Sequence, residues 1–109
     1  MTIVSVYAVF ANQGEAESIG RTVVEERLAS CINILAPCRS IYRWQGEVET
    51  AEEVPAILKT AAIQTDALIA RIAELHSYEV PAITVWPVHK ALAAYGEWVE
   101  EEVAIEGPR

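Results

Sequence analysis

The sequence lacks any cluster of positive charge. Its eight basic residues (Arg21, Arg27, Arg39, Arg43, Lys59, Arg71, Lys90, Arg109) stand singly against sixteen acidic ones, for a formal charge of −8. Nucleic-acid affinity rests on grouped Lys and Arg, so nucleic acid is not an expected partner. Long apolar runs are missing too. No stretch approaches the roughly 20 residues that span a bilayer, and no membrane partner is expected. The apolar start, Met1 to Phe10, carries neither a basic leader nor a small-residue cleavage site, and suits a buried strand better than an export signal. Cysteine is scarce: only Cys31 and Cys38, seven positions apart. In extended chain that is about 23 Å, beyond disulfide reach unless the chain turns back at Pro37. The expected compartment is the cytoplasm, where both thiols stay reduced.

Diagnostic catalytic and metal spacings are also absent. There is no CxxC, no HExxH and no pair of His on one helix face. Gly14 and Gly20 do not make the GxGxxG loop of dinucleotide sites. The Ser, Thr and Cys residues come without a base and orienter that the sequence reveals. The chain is therefore not expected to be an enzyme, and any metal site has to be assembled across elements or across subunits.

What is present is a chain of 109 residues, 52% apolar, enough for one domain over residues 1–109 and too short for two. Apolar residues on both faces of Thr2 to Phe10 predict a central strand. Asn12 and Gly14 mark a turn and cap, and Ile19, Val23 and Leu28 predict a helix over 15–29, with Glu15 and Glu17 in its favourable first turn. Cys31 to Leu35 is a short strand that Ala36-Pro37 interrupts. Ser40 to Gln45 and Val48 to Thr60 then form a long hairpin about Gly46. Pro55 cannot donate a ladder bond, which places it at an edge or a bulge. Leu68, Ile72 and Leu75 predict a second helix from Gln64. His76 to Pro81 is a loop, since Pro81 disfavours helix at Val80. Ala82 to Trp86 is a last strand, and a third helix over 90–103 buries Leu92, Tyr95, Val99 and Val103.

The order β-α-β-β-α-β-α contains, in its first six elements, the split β-α-β pattern of ferredoxin-like α+β folds, with an extra C-terminal helix. Both helices of that pattern lie on one face of the sheet, and the other is left uncovered. Tyr42 and Trp44 add aromatics on a hairpin longer than a small domain needs. Self-association is the economical way to cover them.

Candidate chemistry rests on few residues. Cys31, as a thiolate, suits a soft ion such as Cu(I); as a lone cysteine in an apolar strand, it equally suits a small buried hydrophobe. Cys38 sits beside Pro37 and Arg39 in an expected exposed bend. His76 has Tyr78 and Glu79 close by, and imidazole suits copper and zinc. It stands equally well at the C-terminus of the second helix, bonding the last carbonyls. His89 has no neighbouring ligand type. Glu100-Glu101-Glu102 falls late in a helix, where the macrodipole disfavours carboxylates, and is a solvated face.

Several segments resemble one family. Leu28-Ala29-Ser30-Cys31-Ile32-Asn33-Ile34 is similar to the "LAACVNI" segment of CutA divalent-cation tolerance proteins, and Ser40 to Glu49 to their "SxYxWxGxxE" hairpin. Glu53 with Lys59-Thr60 matches "ExxxxxKT", His76 to Pro81 matches "H-[PS]-Y-E-x-P", and Tyr95 with Trp98 matches "YxxW". The resemblance implies a homotrimer joined through the long hairpin, with a PII-like assembly, and a role in tolerance of divalent cations, copper foremost. It carries over Glu53, Lys59, Tyr78, Tyr95 and Trp98 as residues lining a cleft near a subunit boundary, with Cys31 and His76 as the metal candidates. Glu53 and Lys59 serve equally well as a buried ion pair. The alternatives are a trimeric regulator binding a small metabolite between subunits and a purely structural, partner-binding trimer. Three departures stand out. Phe10 replaces a Cys found in some members, Asn12-Gln13-Gly14 replaces a Pro-acidic helix start, and Pro55 replaces an aliphatic residue where strands would pair between subunits.

Overall fold

The computed structural model describes residues 2–104; Met1 and residues 105–109, which the one-domain expectation also spans, lie outside them. Five strands and three helices follow in the order β1 (Ile3–Phe10), α1 (Gln13–Glu25), β2 (Cys31–Ile34), β3 (Cys38–Trp44), β4 (Glu47–Ala61), α2 (Thr65–Leu75), β5 (Ile83–Pro87) and α3 (Ala93–Glu102), with a short 3₁₀ turn at Ala62–Gln64 leading into α2. The sheet order is β2-β4-β1-β5, and β3 pairs with β4 alone. All pairings are antiparallel. This is the ferredoxin-like α+β arrangement that the element order predicts.

Strand alternation sorts the core. Val4, Val6, Ala8 and Phe10 of β1 stand in register with Thr60, Leu58, Ala56 and Val54 of β4. These positions are buried with Ala16, Ile19 and Val23 of α1 and Leu68 and Ile72 of α2. The contact between α1 and β2 is so close that a Cβ on Gly20 would stand 2.7 Å from Ile32 Cδ1. Asn12 caps α1 by accepting from the Glu15 backbone N–H at 2.8 Å.

Four expectations change. Helix α1 ends at Glu25 rather than Ala29, because Arg27 turns into the left-handed region at φ 63. Its N–H donates to Val24 O and that of Leu28 to Val23 O, a Schellman closure in which glycine is the usual residue. Helix α3 starts at Ala93, and Leu92, expected on its buried face, is 76% exposed. Cys38 opens strand β3 instead of an exposed bend. Pro55 sits at neither an edge strand nor a bulge. It lies within β4 opposite Val9, its carbonyl accepting from Leu35 N–H. The return bond is impossible without a proline N–H, and β2 ends one residue earlier, at Ile34.

The second sheet face is not wholly bare either. Helix α3 packs on β1 and β4, and Ile3, Ala61, Val99 and Val103 are buried apart from the main cluster. Tyr95 of α3 reaches Cys31, whose odd-numbered register shares that face. Beyond α3 the face is open: Tyr7 stacks on Trp86 at 5.1 Å, and Trp86 stays 47% exposed. No helix among the described residues is long and apolar enough to cross a membrane.

Candidate functional site

The hairpin β3–β4 turns through Gln45 (φ 49) and Gly46 (φ 84), a two-residue loop with both central residues at positive φ. That turn fixes the register, pairing Trp44 with Glu47, Tyr42 with Glu49 and Cys38 with Glu53. Side chains alternate across an antiparallel ribbon. One face of the hairpin therefore carries Trp44, Tyr42, Glu47, Glu49 and Glu53, and the other carries Arg39, Ile41, Arg43 and Val48.

The aromatic and acidic face forms one wall of a cleft of about 560 Å³. The opposite wall is the α2–β5 loop, with Tyr78, Glu79 and Val80, and Val9 and Ala82 close the floor. Glu53 is buried, and its Oε2 accepts from the Tyr78 hydroxyl at 2.7 Å. Burial, then the bond to Glu53, pushes Tyr78 up to about 12, so it stays a neutral donor. Tyr42 is raised in the same direction, by partial desolvation and by Glu49. Among the described residues, no basic side chain lines the cleft.

His76 holds the loop wall in place. Its ring is fully enclosed, stacked on Phe10 at 5.4 Å and tilted against Tyr78 at 4.8 Å. The Tyr78 backbone N–H donates to Nδ1 at 3.0 Å, which leaves the proton on Nε2 to donate to Val9 O at 2.8 Å. Both nitrogens are thus engaged, and the side chain reaches across to β1 rather than to the last carbonyls of α2. Glu15 ties the same corner, accepting from Ala11 N–H at 3.0 Å and Ser77 N–H at 2.9 Å. Burial pushes the Glu15 carboxyl up, but these bonds and nearby His76 outweigh it and hold it below its ordinary value.

The seven sequence candidates fall into two separate groups. Glu53 and Tyr78 meet at the cleft, and the enclosed His76 ring packs against Tyr78 without lining it. Cys31, Lys59, Tyr95 and Trp98 gather on the α3 side, where Cys31 Sγ lies 3.6 Å from Tyr95 Oη and the Tyr95 and Trp98 rings are 5.8 Å apart. Burial, then the contact with Cys31, pushes Tyr95 up to about 12. Lys59 pairs in register with Cys31 and Ser5. Glu53 and Lys59 make no ion pair, since six residues of one strand hold them about 20 Å apart.

The residues do not fit a copper ion bound by Cys31 and His76 within one chain. The two belong to different groups, both His76 nitrogens are in use, and among the described residues no three His, Cys, Asp or Glu converge as a metal cage. The cleft residues missing from the sequence candidates are Tyr42, Trp44, Glu49 and Glu79. The sequence puts Gln45 in the strand and the turn at Gly46; the structure's two-residue turn at Gln45-Gly46 is what sets the first three on one face.

Comparison with known proteins gives a consistent result. Residues 4–102 match the family described as "CutA1 divalent ion tolerance protein". A divalent-cation tolerance protein CutA of Thermotoga maritima is 38% identical over 101 residues, covering 93% of this chain and 99% of that one. The Thermus thermophilus protein of the same name is 41% identical over 86 residues, 79% of this chain and 84% of its own. The chain spans about half the length of its mouse relative, 51%. Among solved structures, CutA1 of Oryza sativa superposes with a TM-score of 0.92 at 29% identity, covering 98% of this chain and 97% of that one. A structure from Archaeoglobus fulgidus described as a periplasmic divalent cation tolerance protein superposes at 0.90, with 31% identity and coverage of 93% and 98%.

Proposed function

The chain belongs to the CutA1 divalent ion tolerance family, and from that premise we propose that it serves divalent-cation tolerance as a non-catalytic homotrimer joined through the β3–β4 hairpin. The observation that carries the assembly is the hairpin itself. It projects from the domain, giving the molecule extents of 50 × 30 × 23 Å, and nothing among the described residues covers its Ile41 and Val48 face. Ile41 and Val48 on one face are 70% and 63% exposed, with Trp44 and Tyr42 half-open on the other. An exposed two-stranded ribbon with large apolar side chains is marginal in water and stable against a partner. The test is sedimentation of Trp44→Ala beside Trp98→Ala. Trp44→Ala weakens association by about thirtyfold, the loss of a ~2 kcal/mol interface anchor, while Trp98→Ala leaves the mass unchanged. Equal effects would remove the hairpin from the interface.

Copper is the first divalent ion to test against this assembly. Because no cage forms within one chain among the described residues, the reading for direct binding takes its ligands from two copies. Both cysteines are free thiols, which suits the reducing cytoplasm. A second reading, a trimeric regulator that binds a small molecule, is favoured by one specific observation. The cleft is a small-molecule volume with polar groups converging on apolar walls.

A further inference from the structure

We propose that the second sheet face, beside α3, holds a small oxyanion such as a carboxylate between Lys59 and the Ser5 hydroxyl. The site lies apart from the hairpin cleft and does not rest on the regulator reading. Register builds its base. Cys31, Lys59 and Ser5 are direct cross-strand partners on β2, β4 and β1, and alternation turns all three away from the main core. Cross-strand neighbours hold their Cβ atoms about 5 Å apart, so a thiol, an ammonium and a hydroxyl stand in one row. Tyr95 brings α3 to the end of that row, with Oη 3.6 Å from Cys31 Sγ.

Two of these groups lack the partner that burial calls for. Ser5 is more than nine-tenths buried, yet among the described residues its hydroxyl makes no hydrogen bond. No fully enclosed side-chain nitrogen or oxygen among them is unsatisfied, so the Ser5 oxygen keeps a narrow opening, and it opens on the row. Lys59 is half-buried and takes part in no salt bridge among the described residues. Its neighbours on the face are Cys31, Ser5, Ile57 and Ala61, none of them acidic. On α3, Glu97 is exposed and Glu100 accepts from Thr2 N–H at 3.3 Å. An ammonium drawn out of water without a counter-charge is costly.

The same features select the ligand class. The row offers donors: the Lys59 ammonium, the Ser5 hydroxyl and the Tyr95 hydroxyl, which stays protonated at neutral pH. A cation would meet the Lys59 charge and no carboxylate. A neutral apolar ligand would leave both polar groups unsatisfied. An oxyanion accepts from Lys59 and Ser5 at once. Two sources supply that chemistry: a free small anion, and a side-chain carboxylate of a second copy, which a chain with sixteen acidic residues has to offer.

The test titrates the full chain with sodium acetate against sodium chloride at equal ionic strength. Binding is followed by NMR at the Ser5 and Lys59 amides and the Trp98 indole N–H, with the assembly mass measured on the same samples. For a free anion, acetate shifts these signals saturably and chloride does not. Lys59→Met, which keeps the apolar stem, then weakens acetate at least tenfold, and Ser5→Ala weakens it several-fold. Lys59→Arg retains binding, which separates loss of charge from loss of fold. For a carboxylate already supplied by a second copy, the parent is silent to acetate, and Lys59→Met lowers the association constant at least tenfold where Lys59→Arg does not. Either result supports the oxyanion site and identifies its source. Acetate shifts that survive Lys59→Met unchanged would overturn the proposal. So would a parent silent to acetate whose assembly is indifferent to Lys59→Met.

Discussion

His76 spends both ring nitrogens on backbone groups, one on β1 and one in its own loop, and this fixes the wall on which Tyr78 stands. His76→Phe keeps the stack on Phe10 but leaves Val9 O and the Tyr78 N–H without partners. It should cost about 2–4 kcal/mol by chemical denaturation, and a loss under about 0.5 kcal/mol would show that the bonds are not structural. Glu15 adds a pH dependence of definite sign. Its folded carboxyl titrates below the ordinary 4.5, so its contribution is complete above that value and drains away as pH falls through the lowered one. In Glu15→Gln the stability lost between pH 5 and pH 3 should be smaller than in the parent; an unchanged acid profile would contradict the assignment. Little of this corner was legible beforehand. The ring's bond to β1 spans 67 residues of sequence and the Ser77 N–H bond to Glu15 spans 62, and no local pattern encodes a contact of that range.

At the level of elements, the hairpin was the most legible part. Gln45-Gly46 dictates a two-residue turn, and the turn dictates which side chains share a face. The end of α1 was not legible, because a left-handed closure at Arg27 carries no glycine to announce it. Arg27 also donates to Glu102 O at 2.9 Å and Glu101 O at 2.8 Å, so the α1 end and the α3 end are held to each other. The close approach of α1 to β2 gives a prediction at this scale. Gly20→Ala forces a methyl against Ile32 and should cost about 1–3 kcal/mol, seen as a drop in Tm of several degrees. An unchanged Tm would mean that Ile32 moves aside freely.

For the molecule as a whole, the element order was enough to predict the ferredoxin-like layers, and the resemblance of five motifs in order was enough to point to the family. The placement of α3 over part of the second sheet face was not, since an amphipathic helix reveals its apolar stripe and not the surface it meets. What α3 leaves open, the Tyr7–Trp86 stack and the aromatic hairpin, is what a homotrimer would cover. The most direct measurement is native mass spectrometry of the metal-stripped full chain, with and without a modest excess of Cu(II). The account predicts three times the 12.0 kDa chain mass, with any specifically bound ions counted per trimer rather than one held within each chain. A mass of one chain, unchanged by copper, would contradict it.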